Sequence, residues 1–232
     1  MSAMPTTTKS KSKSESKPQA KSKPPKSTAN SLIELGIIVV VAIGLALLVQ
    51  AFVVKPYKIP SGSMEPTLEV GQRVLVDRIG THFGSFHVGE IVVFHPPEGS
   101  GEGICGPSPH EQQPGGAACS QPVPQEADDT YIKRIVGAPG DWLYVKGGHV
   151  YLSTKGQHGP FKREHDPYIM PCGDSSECNF PTPIHIEAGH WFMMGDHRGN
   201  SEDSRFWGPV PTKWIIGEAF ATYWPPDRIG FF

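Results

Sequence analysis

The sequence predicts a mainly β protein: a single N-terminal transmembrane helix, then an all-β extracytoplasmic domain with a small β cap. Three observations predict it. Residues 35–54, LGIIVVVAIGLALLVQAFVV, hold one polar side chain, Gln50. Beyond them, short β-branched or aromatic runs recur between Gly, Pro and Asp, and none sustains a 3.6-residue period. The 26 Gly and 24 Pro among 232 residues suit short strands joined by many turns.

The first element is a tail. Residues 1–30 are dominated by Lys, Ser, Pro and Thr, with seven lysines and one acid, Glu15. Such a segment buries too little apolar surface to offset its chain entropy, so it is expected to be disordered and cytoplasmic. The next element, residues 31–54, is the membrane helix. Twenty residues at ~1.5 Å each span about 30 Å, the thickness of a bilayer core. A buried globular helix would show a polar face, and this run shows none. A cleaved secretory signal is the other alternative, with a small-x-small site at Gly44-Leu45-Ala46. The apolar run continues past Ala46, which suits an uncleaved anchor. Seven lysines before the span, against Lys55 and Lys58 just after it, put the N-terminus inside and residues 55–232 outside.

Removing the tail from the 21 basic and 23 acidic residues leaves 14 against 22. So acidic a body is a poor nucleic-acid binder, since phosphate contacts need clustered Lys and Arg. Strands are expected at 74–76, 91–94, 131–136, 142–145, 149–152, 184–186, 191–194 and 219–224. Gly147-Gly148 reads as a two-residue hairpin turn. The β core is expected over 55–146 and 190–232, and the cap over 147–189. Residues 96–129 are read as an inserted, exposed loop. Cys105, Cys119, Cys172 and Cys178 lack C-x₂-C spacing, and the histidines lack a metal-ligand pattern, so neither metal nor cofactor is expected. Four cysteines outside the membrane read as two disulfides, paired locally as 105–119 and 172–178.

Three segments carry candidate chemistry. PSGSMEPTL (60–68) sets Ser61 and Ser63 on an irregular turn, a common place for serine. In TYIKRIVGAPGDW (130–142), Lys133 lies inside an apolar strand, where a snorkelling lysine is the plain reading. MGDHRGNSEDSRFWGPVP (194–211) is a charged loop between apolar ends. In this order behind a membrane anchor, the three segments resemble the boxes of the bacterial type I signal peptidase (leader peptidase) family. The resemblance extends to GQRVLVDR (71–78).

That resemblance implies an all-β catalytic domain without a metal, a Ser/Lys dyad, and removal of signal peptides from translocated preproteins. Ser63 matches the nucleophile and Lys133 the general base. Ser61 matches a side chain that helps the Ser63 N–H form the oxyanion hole, and Ser201 a hydroxyl that holds the lysine amine. Arg134, Asp196, Asp203 and Arg205 match charged residues that brace the site. The small substrate pockets fall on Tyr57, Ile59, Pro60, Leu68, Val74, Val93, Tyr131 and Ile132, which implies cleavage after Ala-x-Ala. The spacing of Cys172 and Cys178 is similar to a disulfide of some Gram-negative members. His197 and Gly199 depart from the family's usual Asn and Asp, and the Cys105–Cys119 loop has no recognised counterpart. The implied partners are preproteins and the lipid bilayer of the bacterial inner membrane, with the protein acting as a monomer.

A lysine serves as a base only when neutral. At a reference pKa of about 10.4, roughly one in 2,500 is neutral at pH 7, and burial lowers a lysine pKa by up to about 3–5 units. Two other readings stay open: a Ser-His-Asp hydrolase using Ser63 with Asp196-His197, and a non-catalytic anchored envelope protein.

Overall fold

The structure, a computed structural model, describes residues 28–80, 86–107, 116–170, 172 and 178–232; within the first helix it describes the side chains of residues 32–47. The expected tail therefore lies largely outside the described residues. The chain divides after Gly44 into two compact units. In the first, helix α1 (Thr28–Phe52) begins, and every described side chain on it is exposed. Among the described residues no helix is long and apolar enough to cross a membrane. The helix also ends before the expected residue 54, because Val54 pairs with Asp77 in a sheet.

Among the described residues, the second unit holds twelve strands. In chain order they are β1 (Val54–Lys58), β2 (Arg73–Asp77), β3 (Ile91–Phe94), β4 (Tyr131–Gly137), β5 (Trp142–Lys146) and β6 (His149–Ser153). Then follow β7 (Lys162–Arg163), β8 (Phe180–His185), β9 (His190–Met194), β10 (Val210–Pro211), β11 (Ile215–Trp224) and β12 (Gly230–Phe231). One sheet runs β1-β2-β11-β3-β4-β9-β10, with β12 added on β11. A smaller sheet runs β7-β6-β5-β8. The strand at 142–146, expected in the core, belongs to the smaller sheet, pairing with β6 and β8.

Side-chain alternation explains the larger sheet. β2 buries Val74 and Val76 and exposes Arg73. β3 is buried at all four positions because β11 and β4 flank it and both its faces are covered. It sends Ile91 and Val93 into one core with Ile59, Met64, Leu68 and Ile132. Val92 and Phe94 enter a second core with Ile135, Trp191, Trp207 and Trp214. Each such aliphatic side chain contributes about 1.5–3 kcal/mol by leaving water. A third core joins Leu143, Val145 and Val150 of the smaller sheet to Val136, Phe192 and Met194 of the larger.

Gly147 and Gly148 turn the β5–β6 hairpin with φ of +58° and +79°, the left-handed geometry that a two-residue turn requires. The cysteines pair as 105–119 and 172–178. The insertion departs from its expected exposure. Ala117, Ala118 and Cys119 are buried, and Ala117 bridges to Thr182 of β8. Two small apolar residues inside a polar segment fill the third core, and periodicity gives no hint of them. Strands β1, β7, β10 and β12 were also not expected from the sequence; three of them are two residues long, too short for a pattern.

Candidate active site

Ser63 stands in a single 3₁₀ turn, Gly62–Met64, immediately before buried Met64. Met64 and Leu68 are fully buried and pin the turn, and the Leu68 N–H donates to the Met64 carbonyl at 2.9 Å. From β4, Lys133 reaches this turn, in register with Val92 of β3. Its Nζ donates to Ser63 Oγ at 2.6 Å, and the two residues are 5% and 7% exposed. The Lys133 ammonium also sits 5.6 Å from the centre of the Tyr131 ring. Burial drives the Lys133 pKa down to about 8, helped by the Arg205 charge and opposed by Asp203, Asp196 and Glu202.

Two buried ion pairs surround the couple. Arg134 makes a two-pronged contact with Asp196 at 2.9 and 2.7 Å, donates to the Gly89 carbonyl and stacks 3.9 Å over Tyr168. The Thr67 hydroxyl donates to the same carboxylate at 2.6 Å, tying the serine loop to it. Arg205 grips Asp203 at 2.7 and 2.9 Å and donates to the Ser201 carbonyl. Asp203 caps the short helix α2 (Ser204–Trp207) and accepts the Gly195 N–H at 3.1 Å. Burial alone would raise the Asp203 pKa. The Arg205 charge and hydrogen bond, the Gly195 N–H and Lys133 together hold it below the usual carboxylate range.

Gly195 is required by close approach. A Cβ there would collide with Ser201 Oγ and with the Ser63 carbonyl oxygen. That carbonyl also accepts the His197 N–H at 3.1 Å, so the 194–201 loop is laced to the serine turn through main chain.

The expected site residues converge, with three differences. Ser201 is buried at the end of this loop, but its Oγ has no hydrogen-bond partner and does not hold the Lys133 amine. The Ser61 hydroxyl donates to Ser63 Oγ at 3.3 Å rather than standing apart for an oxyanion. Leu68 and Val74 are fully buried behind the wall and do not line the cleft, because their side chains complete the core beneath it. The cleft at Ser63, about 360 Å³, is lined by Tyr57, Ile59, Pro60, Val93, Tyr131 and Ile132 as expected. Lys58, Thr130, Asn200 and Glu202 line it as well and were not foreseen.

Thr67, Gly195 and Arg198 also escaped the sequence reading. The Gly-Asp step after an apolar strand was the available signal for Gly195. Arg198 is 1% exposed, donating to the Gly195 and Gly148 carbonyls. The Ser-His-Asp arrangement is not formed. The Asp196 carboxylate is held by Arg134 and Thr67, and His197 Nδ1 lies 3.8 Å from Glu65 instead. Among the described residues, no His, Cys, Asp or Glu cluster is grouped to hold a metal.

A buried serine–lysine couple beside an apolar cleft can cleave acyl bonds, and comparison with known proteins narrows the class. Residues 32–224 match the family described as signal peptidase, peptidase S26. A probable signal peptidase I-1 of Synechocystis sp. is 36% identical over 193 residues, 83% of this chain and 83% of that protein. The signal peptidase I of Leptolyngbya laminosa is 35% identical over 84% of this chain and 79% of its own length. Signal peptidase IB of Staphylococcus aureus is 30% identical over 84% of this chain and 91% of its own. The chain therefore belongs to the S26 signal peptidase family and is a serine endopeptidase.

Proposed function

We propose that this protein cuts signal peptides from translocated preproteins with Ser63 as nucleophile and Lys133 as general base. The observation that carries the reading is the 2.6 Å contact between Lys133 Nζ and Ser63 Oγ, both buried. With a pKa of about 8, roughly one Lys133 in ten is neutral at pH 7, against one in thousands for a free lysine. The neutral amine takes the Ser63 proton as Oγ adds to the scissile carbonyl carbon. The resulting ammonium returns that proton to the departing amine as the C–N bond breaks, leaving an acyl-serine. A water, deprotonated by the same amine, then adds to the ester, and the ammonium returns that proton to Ser63 Oγ as the C–O bond breaks.

Negative charge on the former carbonyl oxygen falls to the Ser63 N–H and, after rotation about its χ1, the Ser61 hydroxyl. Ser201 supplies an orienting hydroxyl to the amine once substrate closes the cleft. The wall made by Ile59, Val93, Tyr131 and Ile132 favours small side chains before the bond, hence Ala-x-Ala. Anchoring follows from the apolar run at 35–54. Its exposed side chains, such as Val40 at 70% and Leu45 at 62%, have no counterpart in a water-soluble helix face. The anchor is a single pass through the bacterial inner membrane, N-terminus inside, with the catalytic domain on the periplasmic side. Enzyme and substrate then meet in the plane of one bilayer, which raises their effective concentration.

The test is cleavage of an Ala-x-Ala preprotein by the full chain and by Ser63→Ala in detergent. The wild type cleaves and the variant loses activity. A cleaving Ser63→Ala removes the serine assignment. Substrates with Phe or Leu before the bond are cut far more slowly, and equal rates remove the pocket assignment.

A further inference from the structure

A second cleft, about 710 Å³, adjoins the first. Ser63 lines the first and Ser201 the second, while Asn200 and Glu202 line both. A peptide lying in the apolar cleft and crossing Ser63 thus continues into the second. The two differ in chemistry. Around the second cleft stand two carboxylates, Glu102 and Glu202, both exposed, with Phe206 as an apolar surface. The Arg198 guanidinium, which also borders it, is turned inward. Its Nε and Nη1 donate to the Gly195 and Gly148 carbonyls, and Asp166 lies 3.9 Å away. Glu102 comes from the insertion that the Cys105–Cys119 disulfide staples.

Building on the serine–lysine peptidase reading, we propose that this second cleft receives the residues following the cleaved bond and that Glu102 and Glu202 make it select basic side chains there. An acidic side chain at those positions meets two like charges, whereas lysine or arginine meets two opposite ones. Selection acts on the first residues of the mature protein, which are separate from the small residues before the bond.

Three peptides identical through Ala-x-Ala, with Lys, Ser or Glu at the first two positions after the bond, test this with the full chain. The expected kcat/KM ratio of Lys to Glu peptide is roughly tenfold, shrinking as salt screens the carboxylates. Glu102→Lys, a change on an exposed loop, is expected to flatten or invert that ratio. A wild-type ratio near one, or a ratio that Glu102→Lys leaves unchanged, overturns the proposal while leaving the peptidase reading intact. Failure of every peptide to be cleaved in a Ser63-dependent way overturns the peptidase reading itself.

Discussion

Lys133 and Arg205 are both cations buried within one constellation, at 5% and 0% exposure, yet the structure treats them oppositely. Arg205 faces a carboxylate that it contacts twice. Lys133 contacts a neutral hydroxyl and lies over the face of the Tyr131 ring. A guanidinium keeps its charge whatever its partner, whereas burial lowers the pKa of a lysine amine even against nearby carboxylates. The guanidinium accordingly stays a permanent brace, while the amine is pushed into the range where it can exchange a proton. Asp203 links the two: it holds Arg205 and also opposes the fall in the Lys133 pKa.

The comparison breaks most sharply at Lys133→Arg. This variant keeps the charge and removes the proposed base, because a guanidinium stays protonated in any usable range. Activity is expected to fall on the order of 10⁴-fold or more. In the wild type, kcat/KM is expected to rise with pH through an apparent pKa near 8, as Lys133 loses its proton. An active arginine variant, or a wild-type profile flat between pH 6 and 9, ends the base assignment.

Next in size is Asp203→Asn, which leaves Arg205 buried beside a neutral partner. A loss of about 3–5 kcal/mol in stability is expected. Asp196→Asn should cost less, because the Arg134 side chain is 10% exposed and retains the Tyr168 ring and the Gly89 carbonyl. Chemical denaturation of the three proteins side by side decides it, and equal losses would mean that the two braces are equivalent. If Asp203→Asn still turns over, its pH profile should shift to lower pH, since a charge that raised the Lys133 pKa has gone.

Much of this constellation was legible because its residues are local in sequence and chemically conspicuous. Serines on a Pro/Gly turn and a lysine among isoleucines stand out without a structure, and β3 coincides with its apolar run, Ile91–Phe94. What escaped depends on distance through space. Leu68 and Val74 are apolar whether they line a cleft or sit behind it, and only the curl of the sheet decides. Ala117 and Ala118 lie in a polar stretch, and their burial follows from the position of Thr182 in another strand. Thr67 and Arg198 find their partners 129 and 50 residues away. Gly195 is needed because two chain segments nearly touch there.

A smaller effect is expected at Ser201→Ala. The hydroxyl is buried and unpartnered, so its removal leaves no orphaned group and stability should hold or rise slightly. Activity should drop roughly tenfold, the size of one lost orienting hydrogen bond, and far less than in Ser63→Ala. A Ser201→Ala enzyme as dead as Ser63→Ala would mean that this hydroxyl does more than orient the amine.

The smallest effect concerns stability alone and isolates what burying Lys133 does to the fold. Its folded pKa of about 8 lies below the 10.5 of an exposed lysine. Between those values the unfolded chain binds the proton and the folded chain does not, so this group makes stability rise with pH across that window. Below about pH 8 the folded state carries the charge at a penalty. Lys133→Met, of similar volume and apolar, removes the penalty and the titration together. At pH 7 the variant should gain about 1 kcal/mol, or roughly 2–4 °C in Tm, while losing activity. The gain should vanish as pH rises toward 10, because the wild-type amine is then neutral in the fold and the unfolded lysine is losing its proton too. Thermal unfolding of both proteins in detergent at pH 7, 8.5 and 10 reads the difference directly. A variant less stable than wild type at pH 7, or a difference that ignores pH, would mean that the carboxylates around Lys133 outweigh its burial and that the contrast with Arg205 is one of degree.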